Sequence, residues 1–219
     1  MLFKEFVKKY LDNKLTKKNI VVSGGTSVIN PLKILNQIKQ IKKIVNIYLL
    51  DERNSKNSNL QNYFLIKKIL KKNWNISKLD NNFLRKKNIN NLKKKLKLSK
   101  SFILMGMGYD GHFASIFAKS KKFNKLINLK EKPNIIKTES LGKPFCKRFT
   151  MNLSMILLSY KIIIILDKYK KRNLFLKYIT SNSKRNYPIY HLVDQGKNKI
   201  LFLVKEKLLS KKQLIKIYG

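Results

Sequence analysis

Acidic residues are scarce in this sequence. Its 219 residues hold eleven Asp and Glu against fifty Lys and Arg, with two histidines and one cysteine, Cys146. A lone thiol excludes an intramolecular disulfide and suits a reducing compartment. Two distant histidines and that thiol make no metal-ligand set, so neither a metal nor another cofactor is expected. Long apolar runs are missing too. A membrane-spanning helix needs roughly 18 uncharged apolar residues, and the longest candidate, Met155 to Leu166, is shorter and broken by Lys161. The N-terminal Met1-Leu2-Phe3-Lys4-Glu5 already carries an acid, which argues against a secretory signal. The expected location is the cytosol, with no membrane contact.

What is present is enough apolar material, 43% of the chain, for one domain over residues 1–219 with a sizeable core. The net charge of +39 creates a field that attracts polyanions. Its excess is mostly lysine, accompanied by abundant Asn and Ile. Those three residue types share A- and T-rich codons, so a bias in the coding DNA is the simplest source. The lysines are dispersed, and neither bidentate arginine pairs nor a base-stacking aromatic motif accompanies them. Nucleic acid is therefore expected only as a non-specific partner at low salt. A selected polyanion-binding role stays open as a competing reading.

Short apolar runs alternate with longer amphipathic stretches. That pattern predicts an α/β fold: a mainly parallel, Rossmann-like sheet flanked by helices. Strands are expected at Asn19–Ser23, Val45–Leu50, Ser101–Met105, Ile162–Leu166 and Ile200–Val204, the last closing the sheet. Helices are expected over 2–12, 31–43 (with Leu32, Leu35, Ile38 and Ile41 at helical spacing), 60–72, 83–97 and 169–182, and from Glu206 to Tyr218. A further helix should open near Gly111-His112, and Pro188-Ile189-Tyr190 reads as a short strand.

Polar clusters fall where these strands end, the place at which open α/β sheets bind ligands. Ser23-Gly24-Gly25-Thr26-Ser27 can turn backbone N–H groups and hydroxyls toward one anion, although an ordinary strand-to-helix turn has the same composition. Asp51-Glu52-Arg53 follows the second strand and reads as substrate-orienting charge or as a salt-bridged turn. In Gly106-Met107-Gly108-Tyr109-Asp110-Gly111-His112, three glycines let the backbone fold tightly and present Asp110 and His112 together. Histidine is the usual general base near neutral pH, and a neighbouring carboxylate orients it. His191 has no such company and reads as structural. Downstream, Lys147-Arg148-Phe149-Thr150 and Lys170-Lys171-Arg172 offer cations for a phosphate dianion.

Taken in order, these segments resemble the 6-phosphogluconolactonase family, a branch of the superfamily that also holds glucosamine-6-phosphate deaminase and shares a ribose-5-phosphate isomerase-like fold. The resemblance rests on Ser23-Gly24-Gly25, Asp51-Glu52-Arg53, Ser58-Asn59, the run Gly106 to Phe117, Pro144, Arg148-Phe149-Thr150 and Lys171. It implies hydrolysis of 6-phospho-D-glucono-1,5-lactone to 6-phospho-D-gluconate in the oxidative pentose phosphate pathway. His112 would be the base that activates water, with Asp110 beside it. Ser23, Gly24, Gly25, Thr26, Arg148 and Lys171 would seat the phosphate, and Asp51 and Arg53 would line the same cleft. The expected partner is a phosphorylated sugar lactone, met by a monomer or small homo-oligomer. The deaminases carry a glutamate five residues after the histidine, where this chain has Phe117; a deaminase or sugar-phosphate isomerase is the alternative within the superfamily. The chain departs from the family pattern at Tyr109, where the turn has proline, at Phe113, where it has threonine, and at Val28, where the first loop has proline.

Overall fold

The computed structural model describes residues 1–11, 18–38, 45–70, 74–98 and 101–219. Five runs rich in Val, Ile, Leu and Phe become the parallel strands β1 (Lys18–Val22), β2 (Val45–Leu49), β5 (Phe102–Gly106), β8 (Lys161–Ile165) and β9 (Ile200–Val204). Such runs are apolar without alternation because parallel strands are covered on both faces; Ile162, Ile163 and Ile164 are all fully buried. Two short strands close the edges, β4 (Asn75–Ser77) beside β2 and β10 (Lys207–Leu209) antiparallel to β9. The resulting order is β10-β9-β8-β5-β1-β2-β4.

A second sheet is antiparallel: β3 (Asp51–Arg53), β7 (Cys146–Met151) and β6 (Ile135–Leu141), in the order β3-β7-β6. Only Leu50 separates β2 from β3. Its N–H donates to Val22 O of the large sheet at 2.9 Å, and its carbonyl accepts from Met151 N of the small one at 3.1 Å.

The helices are α1 (Phe3–Leu11), α2 (Ile29–Gln37), α3 (Asn62–Leu70), α4 (Lys86–Leu98), α5 (Phe123–Ile127), α6 (Leu153–Ile156), α7 (Tyr169–Thr180), α8 (Pro188–Gly196) and α9 (Lys211–Tyr218). The longer ones bury a stripe and expose the rest. In α4, Ile89, Leu92 and Leu96 are buried while Lys94 and Lys97 face solvent, the spacing of one helix face. The expected Ile41 of the 31–43 helix lies outside the described residues, as do the ends of the helices expected over 2–12 and 60–72.

Several expectations need correction. No helix opens at Gly111-His112: residues 112–122 are irregular, and Ala114 and Ser115 have φ of 46° and 59°. Their polar atoms bond across the fold instead, Ala114 O accepting from the Thr150 hydroxyl and Ser115 Oγ donating to Asp51 Oδ2. Asp51-Glu52-Arg53 is a strand rather than a turn. Pro188-Ile189-Tyr190 opens α8, with proline in the first turn, where its missing N–H costs nothing. Glu206 sits in a hairpin turn whose two residues, Lys205 and Glu206, have positive φ, as such turns require. The sheet is therefore closed by β10 rather than β9, and the last helix begins at Lys211.

β1 lies between β2 and β5. The chain leaves β1 toward one side and returns on the other, so the crevice beyond the carboxyl ends of β1 and β5 is the sheet's topological switch point.

Candidate functional site

A polar hollow of about 210 Å³ opens at that switch point. Its walls come from the loops after β1 and β5, from β3 and β7 of the small sheet, from the Lys143 turn between β6 and β7, and from the first turn of α7.

The loop after β1 is fastened to β5: Ser23 N–H donates to Leu104 O at 3.0 Å, and Ser23 Oγ accepts from Gly106 N at 3.3 Å. Gly25 has φ 89°, a conformation that only glycine adopts without strain. A Cβ on Gly24 would lie 1.8 Å from Asn62 Oδ1, so the absence of a side chain there lets the Asn62 carboxamide close the hollow's floor. Lys171, in the first turn of α7, donates from Nζ to Ser27 Oγ at 3.0 Å. Burial and the nearby Lys168 push its pKa below the ordinary lysine value. An ammonium, a hydroxyl and a glycine loop thus meet at one end.

The loop after β5 closes on itself, Gly108 N donating to His112 O at 2.9 Å and Gly111 N to Gly108 O at 3.1 Å. This sets His112 Nδ1 2.5 Å from Asp110 Oδ1. A Cβ on Gly108 would fall 2.1 Å from that Nδ1, so glycine is obligatory for the imidazole to sit there. Burial acts to raise the Asp110 pKa, but the hydrogen bonds and charge of His112 outweigh it and hold the carboxyl below its usual value. An ionised Asp110 keeps the proton on Nδ1 and leaves Nε2 as the basic atom. The other ring neighbour is Phe117, centroid to centroid 4.3 Å, and the Arg148 guanidinium lies 5.5 Å from the same phenyl ring.

The small sheet supplies the opposite wall. β3 and β7 pair with Asp51 opposite Thr150 and Arg53 opposite Arg148. Arg148 is 3% exposed and gives Nε to Leu141 O (3.1 Å) and Nη2 to Pro144 O (2.7 Å), bracing the turn that carries Lys143. Arg53 donates Nη1 to Leu60 O at 2.9 Å. Among the described residues, the buried atoms Asp51 Oδ1, Arg53 Nε and Asn62 Oδ1 have no hydrogen-bond partner. The Glu52 carboxylate accepts from the N–H groups of Asn62 (2.6 Å) and Tyr63 (2.8 Å), capping α3, and from its neighbour Arg53 N (2.6 Å). Burial, with Asp51 adding to it, raises the Glu52 pKa despite these bonds.

Ser23, Gly24, Gly25, Thr26, Asp51, Arg53, His112, Arg148 and Lys171 therefore all line one hollow, and Asp110 touches it through His112. Ser58 and Asn59 do not; both are exposed on a short 3-10 turn. The asparagine that reaches the hollow is Asn62, 1% exposed, and its position depends on the Glu52 cap that no local pattern announces. Ser27, the last residue of the loop read as an anion cradle, lines the hollow too, and so does Lys143, a lysine that nothing in the sequence distinguishes among so many others. His191 lies elsewhere, its Nε2 2.8 Å from Arg185 O. Among the described residues, no group of three or more His, Cys, Asp or Glu side chains could hold a metal, and no helix is long and apolar enough to cross a membrane.

Comparison with known proteins gives the family and the fold. Residues 3–202 match the family described as glucosamine-6-phosphate isomerases/6-phosphogluconolactonase. A 6-phosphogluconolactonase of Helicobacter pylori is 28% identical over 203 residues, covering 89% of this chain and 86% of its own. Among solved structures, a 6-phosphogluconolactonase from Shewanella baltica superposes with a TM-score of 0.75 at 21% identity, over 92% of this chain and 90% of that one. The 6-phosphogluconolactonase from Trypanosoma brucei gives 0.71 at 16% identity, over 99% and 92%. At such identities the structural likeness is one of fold.

Proposed function

Because this chain belongs to the family of glucosamine-6-phosphate isomerases and 6-phosphogluconolactonases, we propose that it is a cytosolic, single-domain lactone hydrolase. It opens 6-phospho-D-glucono-1,5-lactone to 6-phospho-D-gluconate, in the oxidative branch of the pentose phosphate pathway. The observation that carries this reading is the meeting of two groups far apart in the chain. The His112–Asp110 pair and the Lys171–Ser27 contact face one polar hollow.

In this reading the substrate phosphate sits against Lys171, Ser27 and the Gly24-Gly25 loop, which fixes the reacting carbon relative to His112. Nε2 takes a proton from water as the water oxygen bonds to the lactone carbonyl carbon. The ring C–O bond then breaks, and the imidazolium returns the proton to the departing ring oxygen. Asp110 holds the imidazole in the required tautomer and stabilises its charged form. Asp51, Arg53 and Asn62 line the same hollow and meet the sugar hydroxyls. Arg148 acts chiefly through the wall it braces. Phe117 supports hydrolysis over ring-opening isomerisation: it places a phenyl ring against His112 where a proton-transferring carboxylate would be needed.

The test is lactone loss followed at slightly acidic pH, where spontaneous opening is slow. The wild-type protein should accelerate it, and His112→Ala should lower kcat by about 10²–10⁴-fold. A His112→Ala rate equal to wild type would sink the mechanism. Ammonia release from glucosamine 6-phosphate would instead favour the deaminase.

A further inference from the structure

The geometry points to Tyr109 as the positioning residue for Lys171, an aromatic platform that aims the ammonium at the phosphate end of the hollow; this rests on the phosphate seat proposed above. Lys171 Nζ lies 5.5 Å and Lys170 Nζ 5.6 Å from the centre of the Tyr109 ring, within the range at which an aromatic face attracts a cation. The ring itself is half exposed and lies outside the hollow's lining. Its backbone is pinned, since the Tyr178 hydroxyl of α7 donates to the Tyr109 carbonyl. Tyr109 therefore joins the loop that carries Asp110 and His112 to the helix that carries Lys171.

The need for such a platform follows from chemistry. A lysine ammonium rides on a flexible four-carbon stem and loses conformational freedom when held. An ion pair would hold it, but the carboxylate would neutralise the charge a phosphate dianion requires. No Asp or Glu carboxylate of the described residues lies within ion-pairing distance of Lys171. The π-face of a ring attracts an ammonium without cancelling its charge or occupying its N–H donors. It also counters the nearby charge of Lys168, which adds to burial in pushing the Lys171 pKa down. A proline at position 109, as in the family's turn, has no aromatic face.

The experiment measures KM and kcat for 6-phosphogluconolactone, KM for the unphosphorylated lactone, and Kd for inorganic phosphate. Wild type, Tyr109→Leu, Tyr109→Phe, Lys171→Met and the Tyr109→Leu/Lys171→Met double variant are compared. Tyr109→Leu should raise KM and the phosphate Kd by about 2–5-fold, with kcat unchanged and the unphosphorylated lactone unaffected. Tyr109→Phe, which keeps the ring, should restore both constants. In the double variant the leucine should add nothing to the loss from Lys171→Met, a non-additivity that general loosening of the loop would not produce. Equal phosphate Kd values for Tyr109→Leu and wild type would overturn the inference, as would full additivity. If wild type opened no lactone, the hydrolase reading would fall while the phosphate titration still decided the tyrosine's role.

Discussion

One wall of the hollow is made by loops that follow β1 and β5, the other by a small antiparallel sheet, and the two were built by different means. In the first, neighbours in space are neighbours in sequence. Gly108, Asp110, Gly111 and His112 close a ring of contacts within five residues. In the second, Asp51 faces Thr150 and Arg53 faces Arg148 only because β3 pairs with β7. The difference teaches that the geometry of one wall can be a local property of a loop while that of the facing wall is a property of tertiary pairing.

The sharpest way to break that contrast is Gly108→Ala. The added methyl would collide with His112 Nδ1, so kcat should fall toward the His112→Ala level, about 10²–10⁴-fold. Steady-state assay would read this with phosphate binding intact; a kcat that survives would show that the loop does not fix the imidazole. On the other wall the counterpart is Glu52→Ala, which strips the acceptor from the Asn62 and Tyr63 amides. Urea unfolding should show a loss of about 1–3 kcal/mol, with KM raised more than kcat is lowered, since Asn62 shifts and His112 does not.

A finer test uses the opposite pKa shifts of the two walls. Asp110 titrates below its ordinary value when folded, so its stabilisation is whole above the unfolded-state pKa and lost as pH falls through the folded one. Glu52 titrates above its ordinary value, so its contribution is whole below the unfolded-state pKa and lost as pH rises through the folded one. Stability measured across the acid range should therefore change slope in one direction for Asp110→Asn and in the other for Glu52→Gln. Matching slopes would contradict the assignment. The smallest effect should come from the surface: with a net charge of +39, kcat/KM for an anionic lactone should decline gently as salt is added. A neutral lactone should show no such decline.

How much of this was legible follows from the same contrast. The five parallel strands declared themselves because burial on both faces demands uninterrupted apolar runs, as Ile162 to Ile165 show. The His112 loop was legible because its glycines are spaced for contacts within the loop. The small sheet was not: in Cys146–Met151 a lysine and an arginine sit among apolar residues, and only Phe117, Leu141 and Pro144 explain why Arg148 is buried. The missing helix after His112 has the same origin. Ala114 favours a helix locally, but it and Ser115 spend their polar atoms on Thr150 and Asp51. Asn62 carries no local signal because its burial is set by Glu52 and Gly24, neither adjacent to it in sequence.

Leu50 bears on all of this. Its two peptide groups tie β1 on one side to β7 on the other, so the two halves of the cleft are joined at this residue. A clamp riveted at one point tolerates opening at its rim far better than lateral shear. The cleft should therefore select ligands by the distance between anion and reacting carbon, and be forgiving of bulk at the mouth.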